Sequence, residues 1–118
     1  METKSKASEQ IQFGDFLKVD IRVGTIVHVE DYPEARKPAY KLEIDFGDFG
    51  KKRSSAQIVA NYRKEDLIGK QVIAVINFPP KQIGKFMSEV LTLGVPDEKG
   101  EVVLLEPTAK VPNGSRLF

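Results

Sequence analysis

The chain has 118 residues and a mass of 13.2 kDa, which is the size of one domain with a core of its own. Its 18 Lys and Arg residues nearly balance its 17 Asp and Glu residues. The net charge of +1 therefore excludes a strongly basic nucleic-acid clamp and an acidic disordered chain, although a local basic patch remains open. Cysteine is absent, which excludes disulfides, thiol nucleophiles and zinc–thiolate sites.

The beginning of the chain shows no targeting signal. Residues 1–10 are polar and of mixed charge, without the apolar centre of a signal peptide. No apolar run anywhere approaches the 18 residues of a membrane span. We therefore expect a flexible N-terminal tail over residues 1–10, one domain over residues 11–118, and a cytoplasmic location without membrane insertion.

The first strand is predicted from a period of two that continues for eleven residues. One parity is apolar or Thr and the other is mostly polar, which is typical of a half-buried strand. Gly24 interrupts the run and predicts a bulge or a sharp bend at that point. The side chains on the predicted core side are Val19, Ile21, Val23, Thr25, Val27 and Val29.

Further strands and one short helix follow. Residues 40–46 alternate cleanly, with Tyr40 and Phe46 at the ends of the apolar side. The apolar run 72–76 predicts a strand buried on both faces, and the two prolines at 79–80 end it because proline cannot donate to a ladder. The other predicted elements are a strand at 56–60, a helix over 63–68 capped by Gly69, a strand at 91–95 and a trailing strand at 102–105.

This order of elements contains no parallel crossover unit. It predicts an all-β fold, the five-stranded Greek-key OB-fold barrel, with a short helix between strands 3 and 4 and short terminal extensions. An SH3-like barrel and a small sandwich are the alternatives. The trailing strand and the apolar pair Leu117 and Phe118 would need cover, so we also expect a homodimer.

The sequence carries no signal for catalysis. His28 is the only histidine and lies on the polar side of strand 1 without an indicated partner. The pair Ser54–Ser55 lacks an indicated base, and neighbouring carboxylates do not have the spacing of a metal loop. Glycine patterns that hold phosphates or dinucleotides are absent. We expect a protein that is not an enzyme and that has no cofactor and no metal.

Basic residues concentrate where an OB barrel binds its ligand, which is strands 2 and 3 with the 1–2 and 4–5 loops. Aromatic rings in the same segments could stack on bases. Nearby carboxylates dilute the positive field, and lysines at hairpins also serve solubility. The candidate phosphate contacts are Lys37, Lys41, Lys51, Lys52, Arg53, Lys81 and Lys85.

The segment between strands 4 and 5 is a loop by its prolines and its glycine, yet it is rich in apolar side chains. It either covers the barrel end or exposes an apolar patch. A site for many unfolded sequences needs apolar area together with polar groups that bind main chain, and Lys81 and Lys85 would favour acidic clients. The predicted peptide-binding residues are Ser55, Gln57, Asn77, Phe78, Pro79, Pro80, Phe86, Ser88 and Glu89.

Several blocks of the chain resemble the tRNA-binding OB domain family, a module appended to some aminoacyl-tRNA synthetases. The blocks are VDIRVGTI at 19–26, YPEARKPAYKL at 32–42, SSAQI at 54–58, VINFPPKQI at 75–83, SEVL at 88–91 and VPNG at 111–114. Within the family they are most similar to its export-related chaperones, and the resemblance covers the predicted domain.

The resemblance implies an OB-fold homodimer that binds unfolded or precursor polypeptides in support of protein export, with the secretion machinery as a further partner. Because no nucleotide-binding pattern is present, such a chaperone would be ATP-independent. Weak tRNA binding on the same OB face is the alternative. The tRNA-binding relatives carry Ser-x-Gly-Met where this chain has Ser88, Glu89, Val90 and Leu91. The branched Val90 at the glycine position keeps a backbone from approaching a ligand closely, which weakens the case for tRNA.

Overall fold

Strands outnumber helices in the computed structural model, which describes residues 7–118. Five strands form one antiparallel sheet in the order β3–β2–β1–β4–β7, while β5–β6 and β8–β9 are separate hairpins. The strands are β1 (Ile21–Asp31), β2 (Tyr40–Asp45), β3 (Lys51–Ala56), β4 (Gln71–Val75), β5 (Lys81–Ile83), β6 (Phe86–Ser88), β7 (Leu91–Thr92), β8 (Gly94–Pro96) and β9 (Val102–Leu104). The helices are α1 (Phe13–Leu17) and α2 (Lys64–Leu67), with a single 3-10 turn at Gly47–Phe49.

The predicted OB-fold barrel with a short helix between strands 3 and 4 is confirmed. The alternation of β2 sets its core, because Leu42 and Ile44 are fully buried and Phe46 follows them inside the barrel. Leu67 of α2 packs against this cluster and is the buried residue of that helix. The continuous apolar run predicts that β4 is buried on both faces. The structure shows this only in part, because Ile73 is half-buried while Val72 and Ala74 on either side of it are buried.

The bulge in β1 lies three residues later than predicted. Ile26 pairs with Ile44 and His28 pairs with Glu43, so Val27 is the extra residue. The extra residue reverses the parity, because Gly24 and Ile26 face the core before the bulge and Val29 packs against it after the bulge, while Val27 is 37% exposed. The predicted core side of strand 1 was therefore right at Val29 and wrong at Val23, Thr25 and Val27, which lie outside the main core cluster.

Gly24 has a different role from the predicted bend. A Cβ at this position would lie 2.6 Å from Ile44 Cγ2 and 2.8 Å from the Phe46 ring. The missing side chain is what allows β1 to cross close above the core. On the other side of the strand, Val23 is buried under the C-terminal segment, with its N–H donating to the Ser115 carbonyl at 2.9 Å.

The third predicted strand has different boundaries in the structure. The strand predicted at 56–60 is β3, which begins at Lys51 and ends at Ala56, so Lys51, Lys52 and Arg53 lie in a strand and not in a hairpin loop. Opposite charges across the ladder favour this pairing, since Lys51 faces Asp45 and Arg53 faces Glu43.

The predicted 4–5 loop contains the hairpin β5–β6. Ile83 pairs with Phe86, and the two-residue turn between them begins with Gly84 at φ +62°. A glycine with positive φ at the first turn position is the requirement of a tight type II′ hairpin.

The structure describes only part of the predicted N-terminal tail. Residues 7–10 are exposed and lie outside helices and strands, while the rest of the predicted tail, residues 1–6, lies outside the described residues. The division at residue 10 stays a prediction. Across residues 7–118, no helix has the length and apolar character needed to cross a membrane.

Candidate functional site

A seam of backbone and side-chain hydrogen bonds closes the barrel between β3 and residues 88–92. The Glu89 N–H donates to the Arg53 carbonyl at 2.8 Å, and the Arg53 N–H donates to Glu89 Oε1 at 3.0 Å. Further along, the Ser55 N–H donates to Ser88 Oγ at 3.0 Å. The seam therefore replaces a regular strand ladder at this position.

The seam also satisfies the one buried polar side chain of the described core. The Ser54 hydroxyl donates to the Val90 carbonyl at 3.3 Å and accepts from the Thr92 hydroxyl at 2.8 Å. The Ser88 hydroxyl donates to the same Val90 carbonyl at 3.3 Å. Each of these polar groups is buried or partly buried, so each bond removes a desolvation cost that an unpaired group would carry.

A groove of about 570 Å³ opens where the seam ends. Its apolar lining includes Phe78 and Pro79 before β5, Leu91 of β7 and the buried Ile58 after β3. Phe78 and Leu91 are about half exposed, so the apolar surface is accessible to a ligand. The remaining lining residues are Ala35, Arg36, Lys37, Ala39, Ser55, Ala56, Gln57, Lys81, Ile83, Ser88, Glu89, Val90, Thr92 and Val102.

Six of the nine predicted peptide-binding residues line this groove, and their binding role stays a prediction. They are Ser55, Gln57, Phe78, Pro79, Ser88 and Glu89. Among them, Ser55, Ser88 and Glu89 also hold the seam, so their polar groups are already partly engaged. Phe78 is 51% exposed, which excludes the alternative that it belongs to the core.

The other three predicted peptide-binding residues lie outside the lining. Asn77 fixes the chain before β1, because its amide donates to the Lys18 carbonyl at 2.7 Å and accepts from the Asp20 N–H at 2.9 Å. Pro80 is exposed between the groove and β5.

Phe86 needs a correction, since its ring is 8% exposed and is not available as a surface anchor. It packs in a second small cluster with Tyr32 and Ala39, and the Tyr32 and Phe86 rings lie 5.8 Å apart. The Tyr32 hydroxyl donates to the Ile83 carbonyl, so this cluster holds the hairpin β5–β6 against the barrel.

The predicted phosphate contacts are divided between two places. Lys37 and Lys81 line the groove. Lys41 and Arg53 lie on the outer face of β2 and β3, where Lys41 Nζ is 4.7 Å from the Tyr32 ring centre and Arg53 Cζ is 5.1 Å from that of Phe86. The remaining three are spread along β3 and the β5–β6 turn: Lys51, Lys52 and Lys85.

Carboxylates surround the cations on this outer face. Lys41 and Arg53 line a depression of about 210 Å³ together with Glu30 and Glu43. His28 Nε2 lies 2.7 Å from Glu30 Oε1, and this hydrogen bond lowers the pKa of the Glu30 carboxyl. An ionised Glu30 beside Lys41 weakens the attraction of the depression for phosphate.

The chemistry of the groove is that of a binding surface. Its polar groups are hydroxyls, amides, cations and the single carboxylate of Glu89, and within residues 7–118 no group of His, Asp and Glu side chains could hold a metal ion. Ten lining residues were in neither predicted site, and Arg36, Ile58 and Leu91 are among them. The alternation that predicts a strand at 91–95 does not show that Leu91 points out of the barrel.

Comparison with known proteins places the chain in one family. A model described as putative tRNA binding domain matches residues 21–116. The methionine–tRNA ligase of Porphyromonas gingivalis is 38% identical over 110 residues, 93% of this chain and 16% of the ligase. That of Methanocaldococcus jannaschii is 37% identical over 117 residues, 98% of this chain and 18% of the ligase. The chain thus spans less than a fifth of these curated relatives.

Two solved structures are matched over their whole length. The chaperone CsaA from Bacillus anthracis is 54% identical with a TM-score of 0.88, and the match covers 93% of this chain and 100% of that one. The CsaA chaperone protein from Picrophilus torridus is 55% identical with a TM-score of 0.85, covering 92% of this chain and 100% of that one. These likenesses confirm the resemblance that the sequence blocks indicate, and they confirm the OB fold.

Phe86→Ala and Phe78→Ala should separate the two phenylalanines by stability. Phe86→Ala empties the cluster with Tyr32, so we expect a loss of about 3 kcal/mol in the free energy of unfolding. Phe78→Ala removes a half-exposed ring and should cost less than about 1 kcal/mol. Urea denaturation of both variants measures the difference, and equal losses would contradict the burial described for the two rings.

Proposed function

This chain belongs to the putative tRNA-binding domain family, and we propose that it acts there as a non-catalytic chaperone that binds unfolded or precursor polypeptides. The observation that carries the proposal is the groove beside the seam, where exposed apolar groups such as Phe78 and Leu91 stand next to hydroxyl and amide groups. Unfolded chains offer apolar side chains and unpaired backbone amides, and this combination complements both. The likeness to CsaA chaperones supports the same conclusion.

The conditions under which the chaperone works form part of the proposal. We propose that it acts in the cytoplasm in support of protein export, in contact with the secretion machinery. Its holding activity would be ATP-independent, because the sequence has no nucleotide-binding pattern. The groove is accessible to solvent, since Phe78 and Leu91 are about half exposed, so a client can leave it by simple dissociation.

A homodimer is the assembly that we propose. Apolar side chains at and before α1 are exposed in the single chain, with Phe13 at 71% and Ile11 at 69%. A two-fold contact would cover such a patch on both copies at once.

Light scattering at micromolar concentration should give twice the 13.2 kDa of one chain. Phe13→Asp places a charge in the exposed patch and should shift the mass to that of one chain. A monomer in the unchanged protein, or a Phe13→Asp variant that still dimerises, would contradict this assignment.

Replacing Phe78 tests the peptide site directly. Phe78→Ala should weaken the binding of an unfolded, fluorescently labelled polypeptide by about 1–2 kcal/mol, since an exposed aromatic ring is a typical anchor. Ile68→Ala is the matched control, because Ile68 is also 51% exposed but lies after α2 and outside the groove. Fluorescence anisotropy of both variants, with unchanged melting temperatures, gives the comparison.

Equal affinity losses in the two variants would mean that exposed apolar area binds clients without a defined site. Unchanged affinity in Phe78→Ala would place the client elsewhere on the molecule. Either result would contradict the proposal that the groove is the peptide-binding site.

tRNA binding on the outer face of β2 and β3 is the second candidate function. It is supported by the family and by the two cations, Lys41 and Arg53, that lie over aromatic rings. The carboxylates Glu30 and Glu43 beside them oppose it.

Any tRNA binding should therefore be weak and steeply dependent on salt. If Lys41 contacts phosphate, Lys41→Ala should reduce the slope of log affinity against log salt by about 0.7–0.9. Lys110→Ala, at an exposed position outside both depressions, should leave the slope unchanged. Tight binding that salt does not weaken would contradict the charge argument and favour tRNA as the main ligand.

A further inference from the structure

The open end of β3 is the feature that defines how the groove could hold a polypeptide. We infer that the bound segment adds to β3 as an extended strand from Ser55 onward and that it carries an acidic side chain. This inference rests on the proposed peptide-binding function and names its mode and the chemistry of its client.

The register of the sheet determines which backbone groups point into the groove. Arg53 directs its N–H and its carbonyl away from β2, because both are bonded to Glu89. Alternate residues of an antiparallel strand share this direction, so Ser55 also faces away from β2. The Ser55 N–H is bonded to Ser88 Oγ, whereas its carbonyl has no hydrogen-bond donor within residues 7–118.

The neighbouring chain turns away at this point and leaves room for another strand. Ser88 pairs with Lys81 in the hairpin β5–β6, and within residues 7–118 it is the last residue of that segment, read back from Glu89, with a hydrogen bond to the edge of β3. The groove occupies the resulting gap between Ser55 and the wall formed by Phe78 and Pro79. A groove beside an unpaired strand edge has the geometry of strand addition, in which main-chain bonds hold the client and apolar side chains enter pockets.

The composition of this edge also favours pairing. Proteins usually protect an open edge with lysine or proline. β3 begins with Lys51 and Lys52, and its Arg53 is bonded to Glu89, while residues 55–58, in which the strand ends at Ala56, are Ser, Ala, Gln and Ile and carry no charge. The unprotected stretch coincides with the groove, which is where a protected edge would exclude a client.

The charge of the groove favours extended segments that carry an acidic side chain. Arg36, Lys37 and Lys81 line it, and no carboxylate lies within 4 Å of their charged groups within residues 7–118. The one acidic lining residue, Glu89, has its carboxylate bonded to the Arg53 N–H. An extended client with an Asp or Glu among apolar residues therefore complements the groove.

Backbone methylation of the client separates strand addition from other modes of binding. The probe is a labelled peptide of alternating apolar residues with one Glu, and the comparison set carries one N-methyl group at each successive position. Methylation at every second position should weaken binding about tenfold, because the methyl removes a donor and keeps the backbone from the edge of β3. Methylation at the intervening positions should change affinity by less than about twofold.

A failure of strand addition gives a different result from a failure of peptide binding. Equal sensitivity at all positions, or none, would overturn strand addition while leaving peptide binding in place. If the unmethylated peptide does not bind at all, the proposed function fails and the inference fails with it. An RNA oligonucleotide that competes with the peptide for the groove would overturn its assignment to polypeptides.

A charge reversal tests the acidic preference. Lys81→Glu should weaken the Glu-containing peptide about fivefold or more and its Gln counterpart by less than about twofold at low salt. Lys110→Glu is the control, since Lys110 is exposed and outside the groove, and it should affect neither peptide. Equal effects of Lys81→Glu on both peptides would overturn the preference for acidic clients.

Discussion

The bonds between β3 and residues 88–92 decide both the shape of the barrel and the position of its groove. The Val90 carbonyl accepts from the hydroxyls of Ser54 and Ser88, and Arg53 exchanges two bonds with Glu89. Backbone and side-chain bonds close the barrel here in place of a regular ladder, because β5 and β6 pair with each other and not with β3. A continuous ladder would have sealed the edge of β3 along its whole length, whereas the seam stops at Ser55 and leaves an opening.

We propose the groove for polypeptide and the outer face of β2 and β3 for tRNA, although two of the predicted phosphate contacts, Lys37 and Lys81, line the groove. The groove combines exposed apolar area with unpaired cations, while the outer face of β2 and β3 combines cations with neighbouring carboxylates. Phosphate affinity depends on a net positive field, so the outer face is poorly suited to tRNA despite its aromatic rings. Tyr32 and Phe86 connect the two surfaces, since their cluster underlies Lys41 on one side and supports the hairpin next to the groove on the other.

The barrel could be predicted from the sequence because the alternation in β2 depends only on local pattern, and Leu42 and Ile44 are buried as it requires. The bulge at Val27 could not, since it follows from pairing between β1 and β2. The strands β5 and β6 have three residues each, too few to show a period. Phe78 and Phe86 look alike in sequence, and only the packing of Tyr32 distinguishes the exposed ring from the buried one.

Unfolded polypeptide should bind in the groove at the open end of β3, and this can be measured by NMR from amide chemical shifts in separate titrations with peptide and with tRNA. Peptide should perturb the amides of Ser55, Gln57 and Leu91, which line the groove, and leave that of Glu43 on the outer face unchanged. Any response to tRNA should appear at Lys41 and Arg53 and disappear at physiological salt. Peptide-induced changes in chemical shift that are confined to the outer face, with no change at the groove residues, would contradict peptide binding in the groove.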